Sequence, residues 1–131
     1  MAEWQAVVEE RSPTPQIAAA LRRYVSIVSS WRGVVTRTED DRGTGATGVH
    51  LYMSDAPFAW VFPGEARIQI RHPAPQAFAQ ALPGTFSIGA GDSQWVATTI
   101  DGALDVPMAV AATAVAAAYL GVLATPARGT D

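Results

Sequence analysis

Val49-His50-Leu51-Tyr52-Met53-Ser54-Asp55-Ala56-Pro57-Phe58-Ala59-Trp60-Val61-Phe62-Pro63-Gly64-Glu65-Ala66-Arg67-Ile68-Gln69-Ile70-Arg71 holds three strand-like runs and two short turn sequences. β-Branched and aromatic residues concentrate in Val49 to Met53, Phe58 to Phe62 and Ala66 to Arg71. Ser54-Asp55-Ala56-Pro57 and Pro63-Gly64-Glu65 supply the turn chemistry between them. Separators this short join antiparallel neighbours, because a parallel crossover needs a dozen or more residues. In the third run Ala66, Ile68 and Ile70 face one way while Arg67, Gln69 and Arg71 face the other, the alternation of a sheet buried on one side.

Working outward from this meander, Val34 to Thr38 reads as a further strand. The polar, glycine-rich stretch 39–48 then reads as a loop, with a possible lid role over one sheet edge. Ahead of it, Thr14-Pro15 is a capping hydroxyl followed by proline at the first helical position. Ile17, Leu21, Tyr24, Val25 and Val28 then recur at helical spacing to about Ser30, and Gly33 marks the exit. Residues 3–10 make a short amphipathic helix carrying Trp4, Val7 and Val8. After the meander come a short helix (Gln76 to Leu82), a minor strand at Phe86 to Ile88, a turn at Gly89 to Asp92 and a strand from Trp95 to Ile100. Asp105 caps a long alanine-rich helix, 106 to 121. The expected fold is an α+β two-layer sandwich, an antiparallel sheet with two long helices packed on one face. Residues 1–131 form a single domain, with an N-terminal segment (1–13), a core (14–122) and a loose tail (123–131).

Composition bounds the function. The chain has 131 residues, 49% hydrophobic and only 16% charged, the balance of a folded domain rather than a disordered one. It has no cysteine, which removes disulfides, thiolate metal sites and cysteine nucleophiles. Nine basic residues, all arginine, stand against twelve acidic ones, which argues against phosphate-driven nucleic-acid binding. The N-terminal residues lack a basic stretch followed by an apolar one, so a cytoplasmic location is expected. Val106 to Ala124 carries no charge and approaches the roughly 20 residues of a bilayer span. Alanine dominates it, however, and a buried helix is the better reading; no membrane partner is expected.

Few constellations carry chemistry. Arg67 and Arg71 share a strand face about 13 Å apart at strand rise. They could grip a phosphate or carboxylate, with Trp60 or Trp95 as a stacking surface. His50 and His72 are the only histidines and fall in no metal-ligand spacing, so neither a metal nor a cofactor is expected. With Asp55 or Asp101, His50 could form an acid/base pair, whereas His72, before a proline at a strand end, suits a turn. Gly43, Gly45 and Gly48 have a dinucleotide-loop spacing without its strand-to-helix context. Glu39-Asp40-Asp41 lacks the alternation of a calcium loop and reads as a solvated acidic cluster. The long helix is apolar on every side. It therefore needs cover from Trp4, Val7 and Val8 of the N-terminal segment, or from a second copy of the chain.

Arg67-Ile68-Gln69-Ile70-Arg71, the Gln76 to Leu82 helix, Ser93-Gln94-Trp95-Val96-Ala97-Thr98-Thr99-Ile100-Asp101-Gly102 and the Ala118-Tyr119-Leu120-Gly121-Val122 ending together resemble the MmcQ/YjbR family of small α+β proteins. Ser29-Ser30-Trp31-Arg32-Gly33-Val34 is similar to the exit of that family's first helix, and the resemblance covers about residues 17 to 122. A small luciferase-like domain family has a similar order of elements. The resemblance implies an α+β fold and a DNA-binding label. Where the family carries lysines before the tryptophan, this chain has Asp92-Ser93-Gln94, which argues against nucleic acid as the partner.

The expected function is a non-enzymatic binding module for a small anionic or aromatic ligand, or for nucleic acid as the family label suggests, its surface formed by His50, Trp60, Arg67, Arg71 and Trp95. One alternative is a small enzyme or pathway accessory protein with a pocket between sheet and helices, using Asp101 and His50 as acid and base. Another is a protein-interaction subunit using the alanine-rich helix; as for partners, a homodimer through residues 106–121 is expected.

Overall fold

Thr14 and Pro15 start the first long helix as their chemistry dictates: the Thr14 side chain accepts the Ile17 N–H at 3.1 Å, and Pro15 occupies the first turn. The computed structural model describes residues 3–40, 47–82, 86–88 and 94–124, with side chains of the last helix described to residue 119. The turn read at 89–92 and most of the 39–48 loop fall outside the described residues. Helices α1 (Glu3–Arg11) and α2 (Pro15–Ser29) open the chain. Four strands follow, β1 (Val34–Asp40), β2 (Thr47–Met53), β3 (Ala56–Phe62) and β4 (Arg67–Arg71). Then come α3 (Pro75–Ala81), β5 (Ser87–Ile88), β6 (Trp95–Thr99) and α4 (Val106–Ala124).

The strands form one six-stranded antiparallel sheet in the order β1-β2-β3-β4-β6-β5. Ser54 and Asp55 take φ of 53° and 66°, the left-handed pair that a two-residue hairpin turn between β2 and β3 requires. Ala66 also has a positive φ, 53°, and closes a 3-10 turn (Pro63–Glu65) instead of starting the strand. The alternation that groups Ala66 with Ile68 and Ile70 is thus broken at its first residue. Opposite Leu51 and Tyr52 the register slips by one residue, and Phe58 is the extra one. That bulge is why neighbouring Phe58 and Ala59 are both buried.

The α+β sandwich is as expected, with the short helices α1 and α3 beside the two long ones. α1 packs on α2, β1 and β2, while α4 packs on α2, β3 and β4. Between the layers Leu21, Tyr24, Val25 and Val28 of α2 meet Val49, Leu51, Val61, Ile68, Ile70 and Val96 of the sheet, all fully buried. Trp4 and Val8 are spent there too, and α1 leaves one side of α4 exposed. α4 runs on to Ala124, into what reads in the sequence as tail, and a 3-10 turn (Ala103–Asp105) leads into it. Asp105 is a cap in reverse: its carboxylate accepts the N–H groups of Asp101 (2.7 Å) and Gly102 (3.4 Å) behind it.

Candidate functional site

Because side chains alternate along a strand, burying Val49, Leu51, Val61, Ile68, Ile70 and Val96 against the helices turns their neighbours to the opposite face. The register then aligns Arg37 with His50, His50 with Trp60, Trp60 with Gln69, and Gln69 with Ala97, a row crossing five strands. His50, Trp60, Arg67, Arg71 and Trp95, scattered over four strands, therefore share one face.

Trp60 is the hub. The His50 imidazole stacks on it from the β2 side, with centroids 4.9 Å apart and planes at 21°. The Trp95 indole stacks on it from the β6 side, at 4.1 Å and 23°. β4 lies between the two tryptophan strands, so the indoles meet above it. Phe62 turns its edge to both His50 (6.2 Å) and Trp60 (6.1 Å). The tryptophans thus stack mainly on protein, and the open stacking platform expected of Trp60 is filled on both sides.

Charged groups frame the stack. Arg67 sits 5.2 Å over the Phe62 ring, and its Nη2 lies 2.8 Å from Glu65 Oε1. Arg71 Nε donates to Gln94 Oε1 at 3.2 Å. Arg37 sits 4.5 Å over Tyr52. The carboxylate facing His50 is neither Asp55 nor Asp101 but Glu39, with Oε1 2.9 Å from Nδ1. Tyr52 Oη donates to the same carboxylate at 3.3 Å; burial, and then the adjacent negative charge, push the phenol pKa up. Glu39 thus belongs to a strand rather than to a solvated acidic cluster. Arg37, Glu39, Tyr52 and Phe62 join the site unforeseen. The signal available for the β1 pair was the alternation of Val35, Arg37 and Glu39 against Val34, Thr36 and Thr38, which carries β1 beyond Thr38.

Two donors stand out. Trp60 Nε1 and Arg67 Nε are buried with no hydrogen-bond partner among the described residues. Leaving a buried hydrogen bond of this kind unmade costs about 1–3 kcal/mol. Most of the space between sheet and helices is filled by Leu21, Tyr24, Phe58, Ile68 and Ile70, and a groove remains between β6 and the start of α4, lined by residues that include Ile100, Leu104 and Met108 but neither His50 nor Asp101.

His72 lies apart from this face. Its ring is buried against Phe78 (4.2 Å, planes at 9°) and Tyr119 (4.8 Å), and Nδ1 accepts the Ala74 N–H at 2.9 Å, the turn role expected. Burial holds its pKa below the ordinary histidine value. The unfolded chain therefore binds the proton more readily, and stability falls as pH drops through about 6.5 toward the lower folded value. Urea unfolding at pH 7.5 and 5.5 should show a loss that shrinks in His72→Asn; an equal loss in both proteins assigns the dependence elsewhere.

Comparison of the chain with protein-family models, curated proteins and solved structures gives no match. No described helix is long and apolar enough to cross a membrane.

Proposed function

We propose that the protein is a binding module whose ligand surface is the helix-free face of the sheet, and that the ligand is a small anion, a carboxylate or a phosphate. The observation that carries this reading is the pair of buried, unpartnered donors, Trp60 Nε1 and Arg67 Nε, beside a face that also bears Arg37 and Arg71. Guanidinium groups suit planar or tetrahedral oxyanions through charge-assisted hydrogen bonds. The MmcQ/YjbR-like resemblance accords with a binding module, while the acidic balance of the chain weighs against nucleic acid.

Pyrophosphate, indole-3-acetate and a single-stranded oligonucleotide serve as probes, titrated against intrinsic tryptophan fluorescence. An anion should bind, and Arg67→Ala/Arg71→Ala should weaken it at least tenfold, because a hydrogen bond to a charged group contributes about 1.5–3 kcal/mol. The urea midpoint should stay close to wild type, both side chains being partly exposed. Binding untouched by the double substitution removes these arginines from the site. Oligonucleotide binding with a steep salt dependence replaces the reading with a nucleic-acid one.

A second reading, homodimerisation through residues 106–121, is favoured by one observation. The exposed side of α4 carries Met108 and Val115, together with the half-exposed Tyr119, whose ring also rests on His72, and Leu104 lies just ahead of them.

A further inference from the structure

We propose that two copies of the chain pair through α4, antiparallel, about a two-fold axis between Ala111 and Ala112. This rests on the dimer reading above and gives it a geometry. Among the described residues six large apolar side chains are exposed, and four belong to this surface: Leu104 (96%), Met108 (40%), Val115 (50%) and Tyr119 (51%). Their spacings of four, seven and four residues place them along one side of the helix, with Ala111 and Ala118 exposed in the same stripe.

The order of sizes is symmetric. Leu104 and Tyr119 lie equally far from the midpoint of Ala111 and Ala112, and so do Met108 and Val115. In an antiparallel helix pair, positions equidistant from the crossing meet at the same height. Leu104 then packs on the partner's Tyr119, and Met108 on the partner's Val115. Ala111, half a residue from the axis, lies beside the partner's Ala111 near the crossing, and a methyl side chain permits the short end of the ordinary 8–10 Å separation. A closed two-fold contact requires this self-complementarity. Charge agrees: Val106–Ala124 contains no ionisable side chain except Tyr119, so two copies meet no like-charge repulsion, and nothing on the helix would steer a charged partner. A groove lined by Phe86, Ile100, Leu104 and Met108, with Thr98, Thr99 and Asp105 at its polar side, extends the stripe at one end.

The chain has no cysteine, so single cysteines report the axis directly. Sedimentation of the wild type should give a dimer, and Met108→Glu or Val115→Glu should give a folded monomer with an unchanged circular dichroism spectrum. Under mild oxidation Ala111→Cys should cross-link to itself, its Cα atoms being within disulfide reach across the axis. Leu104→Cys should not cross-link to itself but should cross-link to Tyr119→Cys when the two variants are mixed. A monomeric wild type overturns both the pairing and the dimer reading. A dimer that survives both glutamate variants overturns α4 as the interface. A dimer dispersed by glutamate that links through Leu104→Cys to itself keeps the interface and overturns the antiparallel axis.

Discussion

Tyr24→Ala is expected to lower the free energy of unfolding by about 3–5 kcal/mol, the cost of removing a large aromatic from a core that closes only partly over the gap. Tyr24 is fully buried on α2 and reaches across to α4, where its hydroxyl lies 2.7 Å from Thr113 Oγ1. Thr113 has one proton and uses it on the Ala109 carbonyl at 2.7 Å, so the phenol is the donor in this pair. Burial pushes the phenol pKa well up, and the group stays neutral. The smaller substitutions separate packing from polarity. Tyr24→Phe leaves Thr113 its bond to Ala109 and should cost about 0.5–1.5 kcal/mol. Thr113→Val strands a buried hydroxyl and should cost more, about 1–3 kcal/mol. Urea denaturation of the three variants gives the order. Equal losses for Tyr24→Phe and Thr113→Val would mean that the phenol finds another acceptor.

Gly48→Val comes next, at about 1–3 kcal/mol, by overpacking. The backbone of Gly48 is not in a glycine-only conformation; what matters is contact. A Cβ there would stand 3.0 Å from Phe62 Cε1 and 3.1 Å from the Val61 carbonyl oxygen. Phe62 has to tilt away, and its ring edge rests on both His50 and Trp60. The substitution should therefore also alter the near-ultraviolet circular dichroism of the Trp60–Trp95 pair while leaving the far-ultraviolet spectrum in place. An unaltered aromatic signal at wild-type stability would show that Phe62 is not the prop of the stack.

How far each part could be read in advance follows from the range of the interactions involved. The hairpins were readable because Ser54-Asp55 and Pro63-Gly64-Glu65 act on their own neighbours. The start of α2 was readable for the same reason, from Thr14 and Pro15. Glu39 was misread because an acidic residue beside Asp40 and Asp41 looks solvated until the register sets it against His50. The shared face of Arg67 and Arg71 was visible in strand alternation alone. The Trp60–Trp95 stack was not, since it depends on β4 pairing with β6 across the intervening α3 and β5. That Trp60 is closed on both sides is a still more remote consequence, because it needs four strands, β2, β3, β4 and β6, placed at once. The exposure of α4 depends in turn on where α1 packs, and α1 packs on the other half of the sheet.

The strand order also bears on the time course of synthesis. β1 to β4 each pair with their neighbour in sequence, and such hairpins can form within microseconds of leaving the ribosome. The helix that covers β3 and β4 is α4, the last element described. Until it is made, Val61, Ile68 and Ile70 have α2 beside them but lack the α4 half of their cover. The described core is therefore closed only when α4 docks on α2, β3 and β4, and before that step the growing chain carries exposed apolar surface of the kind that favours aggregation.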